Sequence, residues 1–417
     1  MSKWKAILSY LIVALYLFFE MGVQVSPSVM TDPLMKDLHL GVFELGLMSG
    51  FYFYTYTLMQ IPSGLLFDRY SPRFVISGAI LVCALGCLAF AFSQNLWMAS
   101  LARMLMGLGS AFAFVAVLVV TADLFPSRYF AFITGITQML AALGAMAGQM
   151  PLGLAVMHWG WRHTLWILAA IGFVLAVVVW LVLNYKKDVL SHAQSHSQSQ
   201  SQSENQTQQF YALFKRPQTW MIALYACLLW APMSGFASLW GVPFLEGVYG
   251  LDHATAAWVC SMMWLGLALA SPVLGWWSTQ MASRTRPLMV ASFLGLVAFA
   301  VILLFPSAPI SVVTVAVFLC GAACSGQALS FTVVKEINNP RQRGAAIAFN
   351  NMAVVISGAI FQPLLGKLLA VQCDGVASAS HCASSPMRLS MLLILAVYLI
   401  SWLIASFAIK EPKEPAK

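Results

Sequence analysis

Apolar residues run through this chain in long blocks, and short polar or Pro/Gly-bearing connections interrupt them. A membrane-spanning helix needs about 20 mostly apolar residues. Twelve blocks approach that length, beginning near Ala6, Val42, Phe74, Leu96, Phe130, His163, Thr219, Ala254, Leu288, Ser311, Ala345 and Leu389. Gly and Pro recur inside several of them, as membrane helices tolerate when neighbours re-satisfy the freed backbone groups. The pattern predicts an all-α integral membrane protein with twelve transmembrane helices.

Composition agrees. Of 417 residues, 60% are hydrophobic and only 9% charged, with a mean hydropathy of +0.82. A soluble chain of this size has too little interior to hide so much apolar side chain. The formal charge of +8 does not indicate nucleic acid, because the basic residues are scattered through connections and form no patch. Cys83 and Cys87, like Cys320 and Cys324, sit one helical turn apart in apolar runs and read as core-filling side chains. Cys373 and Cys382 lie in the polar stretch VQCDGVASASHC and can form a disulfide if that loop faces an oxidising compartment. No cofactor or metal site is expected, and no HExxH, GxSxG or paired mid-span carboxylates suggest an enzyme. The first apolar run is too long for a signal-peptide core and reads as a retained span.

Residues 186–216 are Ser/Gln-rich and of low complexity, which predicts a flexible linker between a first six-helix half, 1–185, and a second, 217–417. The halves resemble each other. QMPLGLA from Gln149 corresponds to QPLLGKL from Gln362, and Gly107 and Gly109 correspond to Gly321 and Gly326. Repeated six-span halves mark secondary transporters, whose site lies between the repeats. With the N-terminus inside, the outer connections hold only Lys36, Arg162, Lys367 and Arg388 of 22 basic residues, and Arg103 lies in a span. All the others fall on the inner side, which predicts cytoplasmic termini. Compact loops suggest a bacterial inner membrane.

After the second span comes GLLFDRYSPR, Gly64 to Arg73. This chain resembles a major facilitator superfamily transporter, whose signature at that place is G-x-L-x-D-R-x-G-[RK]-[RK]. Gly64, Leu66, Asp68, Arg69 and Arg73 match; Ser71 and Pro72 depart from it. The resemblance implies a pseudo-symmetric fold of two six-helix halves and a cytoplasmic gate. Gly64 allows close helix approach. Asp68 can face the positive N-terminal end of span eleven near Ala345. Arg69 and Arg73 can pair with Asp68 or with Asp123 at the end of span four. The second-half loop GWWSTQMASRTR contains no acid, so a one-sided clasp is expected.

Ionisable residues inside a span are costly and point to function. Glu20 in span one and Arg103 in span four are the two clear cases. Glu20 lies roughly 22 Å above the inner surface, and Arg103 roughly 18 Å, at helical rise in a core of about 30 Å. In the resembled family, spans one, four, seven and ten line the central cavity, so the two can face each other. Glu20 is expected to bind a proton or a substrate ammonium, and Arg103 a substrate carboxylate; a static ion pair between them is the structural alternative. Tyr54, Trp230 and Gln327 are expected cavity groups. In span five the antiporter pattern of the family is incomplete, with Pro151 displaced.

These readings imply a monomeric secondary active transporter that moves a small organic solute by alternating access, coupled to protons. An amino acid, short peptide or other carboxylate-bearing nutrient is the expected substrate. VSPSVM and QIPSGLLFDRYSPR also resemble bacterial relatives of a lysosomal dipeptide carrier. A proton antiporter exporting drugs or siderophores is the alternative, followed by a non-transporting membrane sensor.

Overall fold

The computed structural model describes residues 3–126, 130–183, 216–281, 283–338, 343–372 and 384–411. Ten helical stretches among them are long and apolar enough to cross a bilayer. One, Ile136–Val182, reverses at Gly160, where φ is 77°, and holds two crossings. Span two is divided at Met59 into helices of 17 and 10 residues, Val42–Leu58 and Gln60–Arg69. It brings the crossings to twelve. Each predicted start lies within five residues of a helix start or, for span six, of the Gly160 reversal.

Span one is Lys3–Val25, followed by a 3-10 turn, Ser26–Val29. Spans three and four are Pro72–Ala91 and Leu96–Ser110, the latter continuing as Ala113–Leu124. Span five is Phe130–Ala147 with an extension from Met150. Span seven combines Pro217–Ala231, a π-helical stretch Pro232–Trp240, and Gly241–Tyr249. Spans eight and nine are His253–Gln280 and Thr285–Leu304. Span ten is Ile310–Cys324 with Gly326–Ile337; spans eleven and twelve are Arg343–Gln372 and Ser384–Leu403.

The two halves repeat in detail. Span four is a 15-residue helix followed by a 12-residue helix, and so is span ten. Polar caps mark several turns: Asn95 Oδ1 accepts from the amide of Met98 and Asp252 Oδ2 from that of Thr255, both at 3.0 Å. Large apolar side chains such as Leu101, Val174, Leu181 and Val273 are exposed on the outside of the bundle, where lipid is the solvent. All six described cysteines are buried free thiols. Cys373 and Cys382, and the linker beyond 183, lie outside the described residues.

The end of the bundle where the described chain leaves residue 183 and re-enters at 216 is the linker end. At the opposite, far end the halves meet with very little space. A Cβ at Gly46 would lie 2.6 Å from the Gln362 carbonyl, and nearer mid-span one at Gly358 would lie 2.5 Å from the Phe53 ring. Trp240 Nε1 donates to the same Gln362 carbonyl at 3.0 Å. The π-helical stretch of span seven frees backbone carbonyls, and the two repeat-related glutamines take them. Gln149 Nε2 donates to Ala237 O at 2.5 Å, and Gln362 Nε2 to Ser234 O at 2.8 Å. Span seven is thus held from span five of one half and span eleven of the other. At the linker end, Asn351 Nδ2 donates across the halves to Gln60 Oε1 at 2.5 Å.

Candidate functional site

A central cavity of about 110 Å³ lies between the halves. The first half contributes Glu20 and Gln24 from span one, Phe53 and Tyr56 from span two, and Gln138 from span five. The second half contributes Trp230 from span seven, Trp264 from span eight, Gln327 from span ten and Asn351 from span eleven. The two indoles meet edge to face, with centroids 6.3 Å apart.

Glu20 is fully buried, and Tyr52 donates its hydroxyl to Glu20 Oε1 at 2.6 Å. Oε2 has no hydrogen-bond partner. An unsatisfied buried carboxylate oxygen is costly, so this atom is suited to take a proton or a ligand donor.

Arg103 is also fully buried, but it does not line the cavity. Its guanidinium lies 4.6 Å from the centroid of the Tyr52 ring, a cation–π distance. Nη1 donates to Val23 O at 3.2 Å and Nη2 to Gln24 O at 3.3 Å. Local sequence explains these acceptors. Pro27 has no N–H, so the Val23 carbonyl four residues earlier loses its helical donor. The SPS run turns span one into a 3-10 stretch there, and Arg103 and the Ser26 hydroxyl share the freed oxygen. No ion pair joins Glu20 to Arg103 among the described residues; Tyr52 connects them, ring to cation and hydroxyl to carboxylate. The direct ion pair, the structural alternative from sequence, is not formed; a relay of three side chains stands in its place. The expected placement of a substrate carboxylate on Arg103 finds no cavity-facing cation in this conformation.

Trp230 and Gln327 line the cavity with Glu20. Tyr54 does not. It is 38% exposed, and its hydroxyl donates to Ala359 O of span eleven at 3.2 Å, a contact between halves. From sequence, Trp264 and the run FYFYTYT were candidates for the cavity wall without being singled out; the Tyr52–Glu20 bond and the Asn351–Gln60 bridge were not foreseen.

At the linker end, a Cβ at Gly64 would meet nothing within 4 Å among the described residues. The close approach expected of this glycine is not made in this conformation. Arg69 is exposed, as is Asp123 at the end of span four. Arg73 lies over the Trp180 ring at 4.1 Å, and its Nε is buried without a hydrogen-bond partner. The side chain of Asp68 lies outside the described residues.

The second half does carry an ionic clasp, contrary to the one-sided expectation. Arg284 in the loop after span eight reaches Glu336 at the end of span ten with two bonds of 3.0 and 2.8 Å, a bidentate geometry. Its Nη1 also donates to Ser278 Oγ at 3.0 Å. The acid comes from span ten, not from the loop itself. Glu411 adds a cap at the start of span nine, accepting from Ser283, Thr285 and the Arg284 amide.

These features define a multi-pass membrane protein of two repeated six-helix halves around a central, partly polar cavity. The family model described as Major Facilitator Superfamily matches residues 12–252 and 233–417. The chain belongs to that family.

Among solved structures, a bacterial homolog to the human lysosomal transporter Spinster, in an inward-facing and unoccupied conformation, superposes with a TM-score of 0.81 at 18% identity, over 98% of each chain. The nucleoside transporter NupG gives 0.75 at 13% identity, over 96% of this chain and 98% of NupG. At such identities the likeness concerns the fold. Among curated relatives, the uncharacterized transporter YybO of Bacillus subtilis (strain 168) is 24% identical over 66% of this chain, which spans 65% of YybO. The inner membrane transport protein YajR of Escherichia coli (strain K12) is 33% identical over 35% of this chain, which spans 32% of YajR. The membrane sensor protein UhpC of Salmonella typhimurium is 24% identical over 79% of this chain and 77% of UhpC.

Proposed function

We propose that this protein is a secondary active transporter that moves a small organic solute by alternating access, with Glu20 carrying the coupling proton. The observation behind this reading is the bare Glu20 Oε2, fully buried on a side chain that lines the cavity. A carboxyl group there is cheaper to bury when neutral. Protonation therefore favours passage through an occluded state, and release of the proton needs access to water. Tyr52 holds one oxygen in place, and Arg103 positions Tyr52 and the end of span one.

The basic-residue asymmetry puts the linker end in the cytoplasm, in a bacterial inner membrane. In that orientation the tight far-end seal corresponds to an inward-facing conformation, with the Asn351–Gln60 bridge still joining the halves toward the cytoplasm. Return to the outward-facing state requires the far-end contacts at Gly46 and Gln362 to separate and the Gly64 region to close. Asp68, Arg69 and Arg73 are the proposed partners of that closure.

The test is solute uptake into proteoliposomes with and without an inward proton gradient. Accumulation above equilibrium only with the gradient is expected. Uptake that equilibrates identically in both conditions rules out proton coupling, and no uptake with specific solute binding favours a membrane sensor, as UhpC is.

A further inference from the structure

The cavity contains polar groups that proton carriage by Glu20 does not use. Trp264 is fully buried and lines the wall, yet its indole Nε1 has no hydrogen-bond partner. Gln327 from the second half and Gln138 from the first line the same space. A primary amide presents a donor and an acceptor side by side. Trp230 adds a flat aromatic wall. Among the described lining residues Glu20 is the one carboxylate, and no Lys, Arg or His is found. A buried anion here has no cation to compensate it, which disfavours carboxylates strongly.

We propose that the cavity takes an uncharged polar ring and rejects organic anions. This rests on the transporter reading above and adds its substrate class. An acceptor on the ring meets the N–H of Trp264. An edge bearing both donors and acceptors meets Gln327 and Gln138, as amide side chains read such edges elsewhere. The face of the ring stacks on Trp230, since aromatic walls bind rings with little demand on sequence or substituent. Glu20 travels protonated, so site and solute stay neutral together. The solute spans both halves, which ties its occupancy to their rocking. Nucleosides supply this chemistry on a flat base and hexoses on a hydroxyl-bearing face.

The experiment uses the full chain in proteoliposomes under an inward proton gradient. Labelled uridine, adenosine, glucose, alanyl-alanine and lactate are compared, with quenching of tryptophan fluorescence as a separate binding readout. Accumulation of a nucleoside or of glucose, with lactate and the dipeptide excluded, is expected, and those arms separate the two sources. Trp264→Phe keeps the ring and removes the N–H, and it is expected to raise the half-saturation concentration about tenfold. Gln327→Leu should do the same, with both variants still monodisperse. Accumulation of lactate or the dipeptide alone overturns the proposal and leaves the transporter reading intact. Unchanged half-saturation in both variants overturns it as well. If no solute accumulates or quenches, the transporter reading falls and the proposal with it.

Discussion

Spans two and four cross at Gly107, and spans eight and ten cross at Gly321. A Cβ at Gly107 would stand 2.0 Å from the Tyr52 carbonyl, and one at Gly321 1.7 Å from the Met263 carbonyl. Both are crossings that only a glycine fits. Four residues before each glycine lie Arg103 and Val317, both fully buried. The same backbone crossing thus bears Tyr52 and Arg103 in one half, Met263 and Val317 in the other. The repeated architecture depends on the glycines and not on the charges. The charged chemistry was placed on one copy alone. In the proposed mechanism the first half carries the proton on Glu20, while the second supplies two indoles and two amides to the cavity wall.

The largest expected effect tests the equivalence of the crossings. Gly107→Ala and Gly321→Ala each drive a methyl group into a backbone carbonyl. Each should cost about 3 kcal/mol or more, read as a lower melting temperature and loss of monodisperse protein in detergent. A harmless substitution at either site breaks the comparison.

Arg103→Met comes next. It takes the donor from the Gln24 carbonyl and leaves the Val23 carbonyl to the Ser26 hydroxyl alone, at about 1–3 kcal/mol for a buried unsatisfied group. Val317→Ile at the matching place adds one methylene and breaks no hydrogen bond, and should cost about 1 kcal/mol. Thermal melts of the two variants side by side sharpen the comparison, and equal costs would contradict it.

Tyr52→Phe keeps the ring over Arg103 and removes the hydrogen bond to Glu20. About a tenfold fall in gradient-driven uptake is expected, with stability changed by about 1 kcal/mol. Met263→Leu should leave uptake unchanged within a factor of about two.

The smallest effect concerns the linker end. Burial pushes the Glu411 carboxyl up, but hydrogen bonds from the Thr285 side chain, the Arg284 and Thr285 amides and the Ser283 hydroxyl outweigh it. They hold the group below its usual value of 4.5. A depressed carboxyl stabilises the fold above its unfolded value and loses that contribution as pH falls through the folded one. Glu411→Gln should lower the melting temperature slightly at pH 7, and the difference should vanish on acidification below the carboxylate range. A difference that persists in acid would show that the cap works through shape alone.

The twelve crossings were legible because long apolar blocks leave few alternatives, and the family resemblance rested on residues that stand in GLLFDRYSPR. Other features depend on tertiary placement. The break of span two at Met59 is marked only indirectly, by Pro62, whose missing N–H leaves the Leu58 carbonyl without its helical donor. Within FYFYTYT, every second residue is a tyrosine, while a helix turns about 100° per residue. Tyr52 and Tyr54 therefore fall on nearly opposite faces, and only the packing of span two shows that Tyr52 faces Glu20. The partner of Arg103 was hidden for a different reason. Its acceptors are backbone carbonyls released by Pro27, and a search among acidic side chains does not find them. The Arg284–Glu336 clasp escaped because its acid comes from a span more than fifty positions away, not from the loop that carries the arginine.

The central claim is that one buried carboxyl group, at position 20, couples proton and solute movement. Glu20→Gln keeps the size and the Tyr52 hydrogen bond while fixing the side chain in a neutral form. Solute exchange between equal pools and gradient-driven accumulation should be measured on the same reconstituted variant. Exchange that continues while accumulation is lost by about a hundredfold or more is the predicted result. Accumulation that still follows the proton gradient would contradict it.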